Sequence, residues 1–169
     1  MASTLPTPIE FRLPDEWQPA PPDDVGAPTA AFVALVPHSE DGFTANVTID
    51  GELRQGTVPL VSLADESIEK LRAAAGSVTV LDRAEVGSAA APALTQTLRV
   101  TAAVNGDERD LVQAQVYLSM PDSAGPATHA VIRLVLTAAA GQYEAIRPDF
   151  QWFVSTVRPD TRTHRATRG

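Results

Sequence analysis

Three consecutive segments of the chain alternate apolar and polar residues, and the first two are joined by an Asn-Gly dipeptide. Residues 95–104, 111–120 and 129–137 each place apolar side chains at every second position, the period of a half-buried strand. Asn105 and Gly106 both accept a positive φ, which the tightest hairpin turns require. The pattern predicts an antiparallel meander, and such a sheet is the strongest constraint on the fold of this chain.

Two other segments have helical spacing, with apolar residues three or four positions apart. Ser62 is a favourable N-cap for a helix that ends at Gly76. Pro148 suits the first turn of a second helix that begins near Ala145. Shorter runs predict strands at residues 9–13, 30–36, 43–50 and 78–86, a turn at Asp50-Gly51 and a loop over residues 18–28. The fold class is therefore α+β, a mainly antiparallel β-sheet flanked by helices.

Length and charge indicate one acidic domain with two tails. The 169 residues, 44% of them hydrophobic, are enough for one folded domain. We expect residues 1–8 to be a disordered tail, residues 9–158 a single α+β domain, and residues 159–169 a disordered basic tail. Residues 1–157 hold 20 acidic and 9 basic side chains. An acidic body of this kind argues against nucleic acid as a partner.

The sequence contains no recognisable catalytic or metal-binding motif. It has no cysteine, which excludes disulfides, thiolate zinc sites and a cysteine nucleophile. His38, His129 and His164 lack the spacing that would bring two ligands to one helix face. We therefore expect no catalytic residue, no metal and no cofactor. The N-terminus lacks a signal-peptide pattern and no segment is long and apolar enough to span a membrane, so we expect a cytoplasmic location.

The second face of the meander carries the candidate binding residues. It combines long hydrogen-bonding groups with an aromatic ring, a mixture that suits a peptide, a partner helix or a small ligand. Arg99 and Arg133 would favour an acidic or carboxylate-bearing partner if they are neighbours. The predicted partner-binding residues are Arg99, Gln113, Gln115, Tyr117 and Arg133.

Short motifs in three places resemble a bacterial family. Phe11 to Trp17 reads Phe-Arg-Leu-Pro-Asp-Glu-Trp, Gly42 to Thr48 reads Gly-Phe-Thr-Ala-Asn-Val-Thr, and Phe150 to Val157 ends the domain. These segments resemble the DcrB-like and LpqN-like domains of the PsbP/Mog-type fold. The resemblance implies an antiparallel sheet flanked by helices and no shared active site. It also implies binding, adaptor or chaperone-like roles, including chaperones for secreted effectors.

Three functional hypotheses follow. The first is a non-enzymatic protein-binding module, an adaptor or chaperone-like protein for a secretion system or a membrane-associated partner. The second is a small-ligand carrier or sensor, which needs a pocket between sheet and helix lined by Tyr117 and arginines. The third is an enzyme with a nonlocal site, which needs His38 or His129 to meet a carboxylate and a nucleophile in one cleft. A homo-oligomer is compatible with all three.

Overall fold

A seven-stranded antiparallel sheet forms the centre of the molecule. The computed structural model describes residues 5, 9–22, 30–40, 43–55, 59–88, 91–104, 106–121 and 128–159. Along the sheet the strands follow the order β2-β3-β4-β8-β7-β6-β5. Their bounds are β2 Gln18–Ala20, β3 Phe32–Glu40, β4 Phe43–Gln55, β5 Ser77–Gly87, β6 Pro92–Val104, β7 Asp107–Pro121 and β8 Thr128–Ala139. The predicted α+β class with an antiparallel sheet is confirmed.

Two helices cover opposite faces of this sheet. Helix α1, Leu60–Ala74, packs on side chains from β5, β6, β7 and β8. Helix α2, Tyr143–Thr156, packs on side chains from β3, β4, β7 and β8. We call these two sides of the sheet the α1 face and the α2 face. Burial of apolar area on both faces supplies the main favourable free energy of the fold.

A separate two-stranded sheet joins the ends of the domain. Strand β1, Ile9–Glu10, pairs with β9, Arg158–Pro159, in antiparallel register. Arg158 Nε also lies 2.8 Å from Glu10 Oε1. The predicted strand over residues 9–13 is therefore real only at its first two residues.

The structure corrects two predicted turns. Strand β4 runs straight through Asp50 and Gly51, because ten consecutive register pairs with β8 continue past them. Gly51 lies opposite Ile132, so pairing with a distant strand overrides the local turn signal. The segment predicted as a loop over residues 18–28 begins with strand β2, and Pro19 is tolerated there because β2 is an edge strand.

Both helices begin earlier than the sequence predicts. Helix α1 starts at Leu60 after the N-cap residue Pro59, so Ser62 lies within the first turn. Helix α2 starts at Tyr143, which puts Pro148 inside the helix rather than in its first turn. The start of α2 is fixed by Gln142, whose Oε1 accepts a hydrogen bond of 2.7 Å from the backbone N–H of Ala139.

The predicted tails mostly fall outside the described residues. Leu5 packs against the edge of the core and Pro159 belongs to β9; the other residues of both tails are not described. The predicted single-domain boundary at residues 9–158 stays a prediction. Within the described part of the chain, neither helix is long and apolar enough to cross a membrane.

Candidate functional site

The register of β6 against β7 divides the five predicted binding residues between two faces. Arg99 lies opposite Val112, whereas Gln113 lies opposite Leu98. Side chains of directly opposed residues share a face, so Arg99 is on the α2 face and Gln113 is on the α1 face. The expectation that all five residues share one face is therefore wrong.

Gln115 is the centre of a buried hydrogen-bond network beneath α1. Its Oε1 accepts hydrogen bonds from Gln96 Nε2 at 2.7 Å and from the Tyr117 hydroxyl at 3.0 Å. Its Nε2 donates to Ser67 Oγ at 3.1 Å and to Gln113 Oε1 at 2.6 Å. These four bonds are all that a side-chain amide can make, so Gln115 is fully satisfied.

Gln96 extends this network to the sheet edge. Its Nε2 also donates to the backbone carbonyl of Ala64 in α1, at 3.3 Å. Its Oε1 accepts from Arg83 Nε and Nη2, at 3.1 and 2.8 Å. Arg83 Nη1 in turn lies 2.9 Å from Asp65 Oδ1 of α1. We call the set Gln96, Gln113, Gln115, Ser67 and Tyr117 the glutamine ladder.

The glutamine ladder is interior structure rather than an open binding surface. Gln115 and Tyr117 are each 2% exposed, and Gln96 is 1% exposed. A partner protein cannot bind the side chains of Gln96 or Gln115 without displacing α1, whereas Tyr117 also borders a cleft beside this helix. Gln115 holds α1 through Ser67, and Tyr117 holds it by packing in one apolar cluster with residues of α1, while the half-buried Gln113 supports Gln115.

Arg133 lies beside the ladder in a cleft that α1 leaves open over β4 and β8. Its Nη2 and Nε donate to Asp50 Oδ2, at 2.7 and 3.2 Å. Burial works to lower the pKa of Arg133, but the hydrogen bonds and charge of Asp50, with a contribution from Tyr117, raise it. We call this space the α1 cleft; it comprises two adjoining cavities of about 200 and 300 Å³ that share Asp50, Ser67, Lys70 and Arg133.

A single groove of similar volume lies on the α2 face, between α2 and strands β5 and β6. Its volume is about 490 Å³. Its apolar bottom comes from β7 at the foot of α2, and its sides carry polar and charged groups and the exposed Leu81. We call it the α2 groove; it is lined by Leu81, Asp82, Thr95, Gln96, Thr97, Arg99, Val112, Ala114, Gln115, Val116, Ala140, Tyr143, Glu144, Arg147, Phe150 and Gln151.

Arg99 is the predicted binding residue that this groove exposes. Its Nε donates to Asp110 Oδ1 at 2.9 Å, and its Nη2 pairs with Asp110 Oδ2. The side chains of Arg99 and Asp110 are 56% and 43% exposed. The hydrogen bond from Arg99 holds the pKa of the Asp110 carboxyl below its usual value, against a smaller opposing effect of burial. Arg99 and Arg133 lie on opposite faces, so they do not form one site.

His129 is the candidate catalytic histidine whose position is described in full. His129 stands near the start of β8, opposite Arg54 on one side and Pro121 on the other. No group of three or more His, Asp and Glu side chains in the described ranges could hold a metal ion. The side chain of His38 and all of His164 lie outside the described residues, so a site built on either is untested.

Solved structures of low sequence identity share this fold. LpqN of Mycobacterium tuberculosis, described as involved in cell envelope biogenesis, matches with a TM-score of 0.64 and 12% identity over 93% of this chain and 87% of its own. The cyanobacterial PsbP of Synechocystis matches with 0.57 and 11%, over 90% and 86%. The Ran-binding protein Mog1p of Saccharomyces cerevisiae matches with 0.55 and 11%, over 89% and 89%. No protein-family model matches the chain, and no curated protein matches it significantly.

These matches define the class of fold. The likeness extends over 89 to 93% of this chain, which includes its seven-stranded sheet and both helices. The protein has the PsbP/Mog-type α+β fold, as the sequence resemblance implied. Identities of 11 and 12% establish the fold alone, since one fold hosts many functions.

Proposed function

We propose that this protein is a non-enzymatic protein-binding module, an adaptor or chaperone-like protein that holds a partner protein in the α2 groove. The partner we propose belongs to a secretion system or is associated with the membrane. Two proteins of the same fold support this class of role: Mog1p is described as Ran-binding, and LpqN as involved in cell envelope biogenesis.

The observation that carries the proposal is the part of the α2 face that α2 leaves uncovered. Helix α2 packs on side chains of β3, β4, β7 and β8, while β5 and β6 lie open beside it. Neighbouring strands are about 4.8 Å apart, so two open strands offer a floor about as wide as an α-helix. The lining combines the exposed apolar side chain of Leu81 with Arg99 and Arg147, and apolar and arginine side chains together are typical of protein interfaces.

Two side chains of this groove suit an acidic partner segment. Arg99 lies on β6 and Arg147 on α2, and both line the groove. The Nη2 of Arg147 lies 3.6 Å from the Oε2 of Glu144 in the same helix. Both ion pairs are exposed, so each holds its arginine weakly and either guanidinium can turn to a carboxylate of the partner. Arg99 is thus the candidate residue that we assign to direct contact, with Gln113, Gln115 and Tyr117 as internal supports.

The proposal is tested by crosslinking followed by a binding measurement. A photo-crosslinking residue at Thr97 captures the partner in the native cell, and the purified pair is then titrated with groove variants. Thr97→Trp fills the groove and Arg147→Glu reverses a wall charge, so both are expected to weaken binding at least about tenfold.

The matched control is Arg72→Glu on α1. Arg72 forms an exposed i,i+3 pair with Glu69, as Arg147 does with Glu144, but it lies on the other side of the sheet. This variant is expected to bind normally. Absence of any crosslinked partner, or a partner whose binding ignores both groove variants, would refute the proposal.

A small-ligand carrier is the second candidate, and the α1 cleft favours it. The cleft is lined by Tyr117, Arg133 and Lys70, which together suit a small carboxylate or phosphate compound. Native mass spectrometry of protein purified from its own cells tests this candidate. Retention of an anionic compound that Arg133→Met releases would support it, and a ligand-free spectrum would count against it.

We also propose that the protein works in the cytoplasm. Fractionation of cells that carry a tagged full-length chain tests this location. Recovery with the soluble cytoplasmic fraction is expected, whereas recovery with the cell envelope would refute this location.

A further inference from the structure

Strand β5 is a long open edge of the main sheet. The opposite edge is β2, which has only three residues and contains Pro19. Strand β5 has eleven residues, and its outer side has no strand beside it in the described structure. Three of the five large apolar side chains exposed on the described residues lie in it: Val80, Leu81 and Val86 are 41%, 54% and 47% exposed. An edge of this kind is a template for another strand.

The shape of β5 limits where another strand can pair. The register with β6 shifts between Val80 and Asp82, which leaves Leu81 as an extra residue. A bulge bends and twists the strand, and the longer of the two regular stretches beside it runs from Asp82 to Gly87. This short segment reads Asp-Arg-Ala-Glu-Val-Gly.

Symmetry then restricts how two copies can join. An antiparallel sheet that continues across a two-fold axis needs the axis perpendicular to the sheet, so that each face continues as the same face. The axis must therefore pass midway between the two copies of one residue, which lie directly opposite each other. Centres at Asp82, Arg83 or Glu85 set a charge opposite its own copy, which is destabilising.

The centre at Ala84 alone in this segment pairs opposite charges. In that register Arg83 of each copy lies opposite Glu85 of the other copy on the α1 face, which gives two pairs of opposite charge. Asp82 lies opposite Val86 on the α2 face. A centre at Val86 would instead leave Glu85 opposite Gly87, with no charge pair. The sequence of this edge is thus complementary to itself in one register.

The side chains of Arg83 and Glu85 suit that register. The contacts of Arg83 with Gln96 and Asp65 use three of its five N–H donors, so one donor on each terminal nitrogen remains for a carboxylate. Glu85 is exposed, as expected for a carboxylate placed to meet a second chain.

We propose that two copies of this chain associate through β5, antiparallel about a two-fold axis at Ala84. The two sheets become one sheet of twice the width, and the two α2 grooves adjoin across the axis. In this dimer the β5 strand of each copy is paired, so β5 cannot bind a further chain. The remaining edge strand, β2, is short and contains Pro19, which disfavours pairing with another strand. The assembly therefore stops at two copies. The dimer does not depend on the proposed function.

A single introduced cysteine tests the register directly. The chain has no cysteine of its own. Ala84→Cys puts one thiol opposite its copy, within disulfide reach for directly opposed strand residues. A mild thiol oxidant is expected to give a covalent dimer with Ala84→Cys but not with Thr79→Cys, an exposed position beyond the bulge. Crosslinking at Thr79, or at Val86→Cys in preference to Ala84→Cys, would overturn the register.

Charge reversal tests the interface without a crosslink. In sedimentation velocity over a concentration series, Glu85→Arg is expected to raise the dimer dissociation constant about tenfold or more. Arg83→Glu is expected to do the same. Mixing these two variants restores both charge pairs, so a heterodimer is expected, and its formation shows that both chains fold.

Glu108→Arg is the matched control, since it makes the same charge change at an exposed position in β7. It is expected to leave the dimer unchanged. A wild-type protein that stays monomeric at every concentration, or a dimer that Glu85→Arg does not weaken, overturns the proposal. Either result leaves binding of a partner in the α2 groove to be judged by its own experiment.

Discussion

Gln96 and Gln115 lie opposite each other on β6 and β7, and the Nε2 of Gln96 donates a hydrogen bond of 2.7 Å to the Oε1 of Gln115 beneath α1. Each amide makes four hydrogen bonds to protein groups, and each is at most 2% exposed. A buried polar network is favourable only while every member is satisfied. The position of α1 therefore depends on polar contacts as well as on its apolar stripe.

The first prediction concerns that dependence. Gln115→Ala removes one hydrogen-bond partner from each of Gln96, Tyr117 and Ser67 in a buried environment. We expect the free energy of unfolding, measured in urea, to fall by about 2 kcal/mol or more. Gln151→Ala, on the exposed surface of α2, is the control and is expected to change it by less than about 0.5 kcal/mol. Equal effects of the two substitutions would contradict the role assigned to the ladder.

A double-mutant cycle measures the pair itself. Gln96→Ala and Gln115→Ala remove the two ends of one hydrogen bond, so their effects on the free energy of unfolding should not add. We expect an interaction energy above about 0.5 kcal/mol. Additive effects would mean that the two amides act independently.

The ion pair of Arg99 and Asp110 gives a prediction about pH. The pKa of Asp110 lies below its usual 3.8, first because Arg99 donates hydrogen bonds to the carboxylate. A lowered carboxyl pKa favours the folded state where the carboxyl is ionised. The stabilisation is thus present above about pH 3.8 and is lost as the pH falls through the lowered pKa. Because both groups are exposed, the effect on stability is small.

NMR titration of the Asp110 carboxyl measures this directly. In Arg99→Ala the pKa of Asp110 is expected to rise towards its usual value. The stability difference between wild type and Arg99→Ala is expected to shrink below pH 3.8. An unchanged Asp110 pKa would show that the ion pair is not formed in solution.

A third prediction compares two glycines with positive φ. Gly87 and Gly106 have φ of 83° and 86°. A Cβ at Gly87 would collide with the carbonyl oxygen of Ala91, whereas a Cβ at Gly106 meets nothing within 4 Å. Alanine at Gly106 should cost about 1 kcal/mol for its left-handed backbone alone. Alanine at Gly87 should cost clearly more, because the strand must also move; equal melting temperatures would contradict this.

The fourth prediction concerns Asp50 and Arg133 in the α1 cleft. Asp50→Asn removes the carboxylate that faces a guanidinium only about one-third exposed. We expect the free energy of unfolding to fall by about 1–2 kcal/mol, less than for a fully buried pair. Glu52→Gln, two residues along the same strand, breaks the more exposed pair with Arg54. It should cost under about 0.5 kcal/mol, and an equal cost for both would contradict the difference in burial.

Local patterns were enough to predict most of the strands. Residues 78–86 contain no competing turn signal, and β5 extends only one residue beyond them at each end. The Asn105-Gly106 hairpin was correct as well, since Val104 pairs with Asp107. The turn predicted at Asp50-Gly51 was wrong because the hydrogen bonds that keep β4 extended come from β8, some eighty residues away in the chain.

The candidate site was harder to predict because it depends on register and on packing between distant elements. Once Val104 pairs with Asp107, counting back along both strands places Arg99 opposite Val112 and so on the other face from Gln113. That signal was present in the sequence. The burial of Gln115 was not, because Ser67, its partner on α1, is 48 positions away and nothing local brings the two together.

The small β1–β9 sheet has a mechanical consequence. Ile9 lies opposite Pro159, so a force pulling these two ends apart acts along the direction that joins the two strands and loads the residue pairs one after another. The residue pairs of this small sheet separate one at a time, so the sheet withstands only a small force. The hydrogen bond of 2.9 Å from the Arg12 backbone N–H to Thr156 Oγ1 carries the load next, followed by the edge-on contact of Phe11 with Phe153. A domain tethered at both ends would thus yield first at this clasp, with its main sheet still intact.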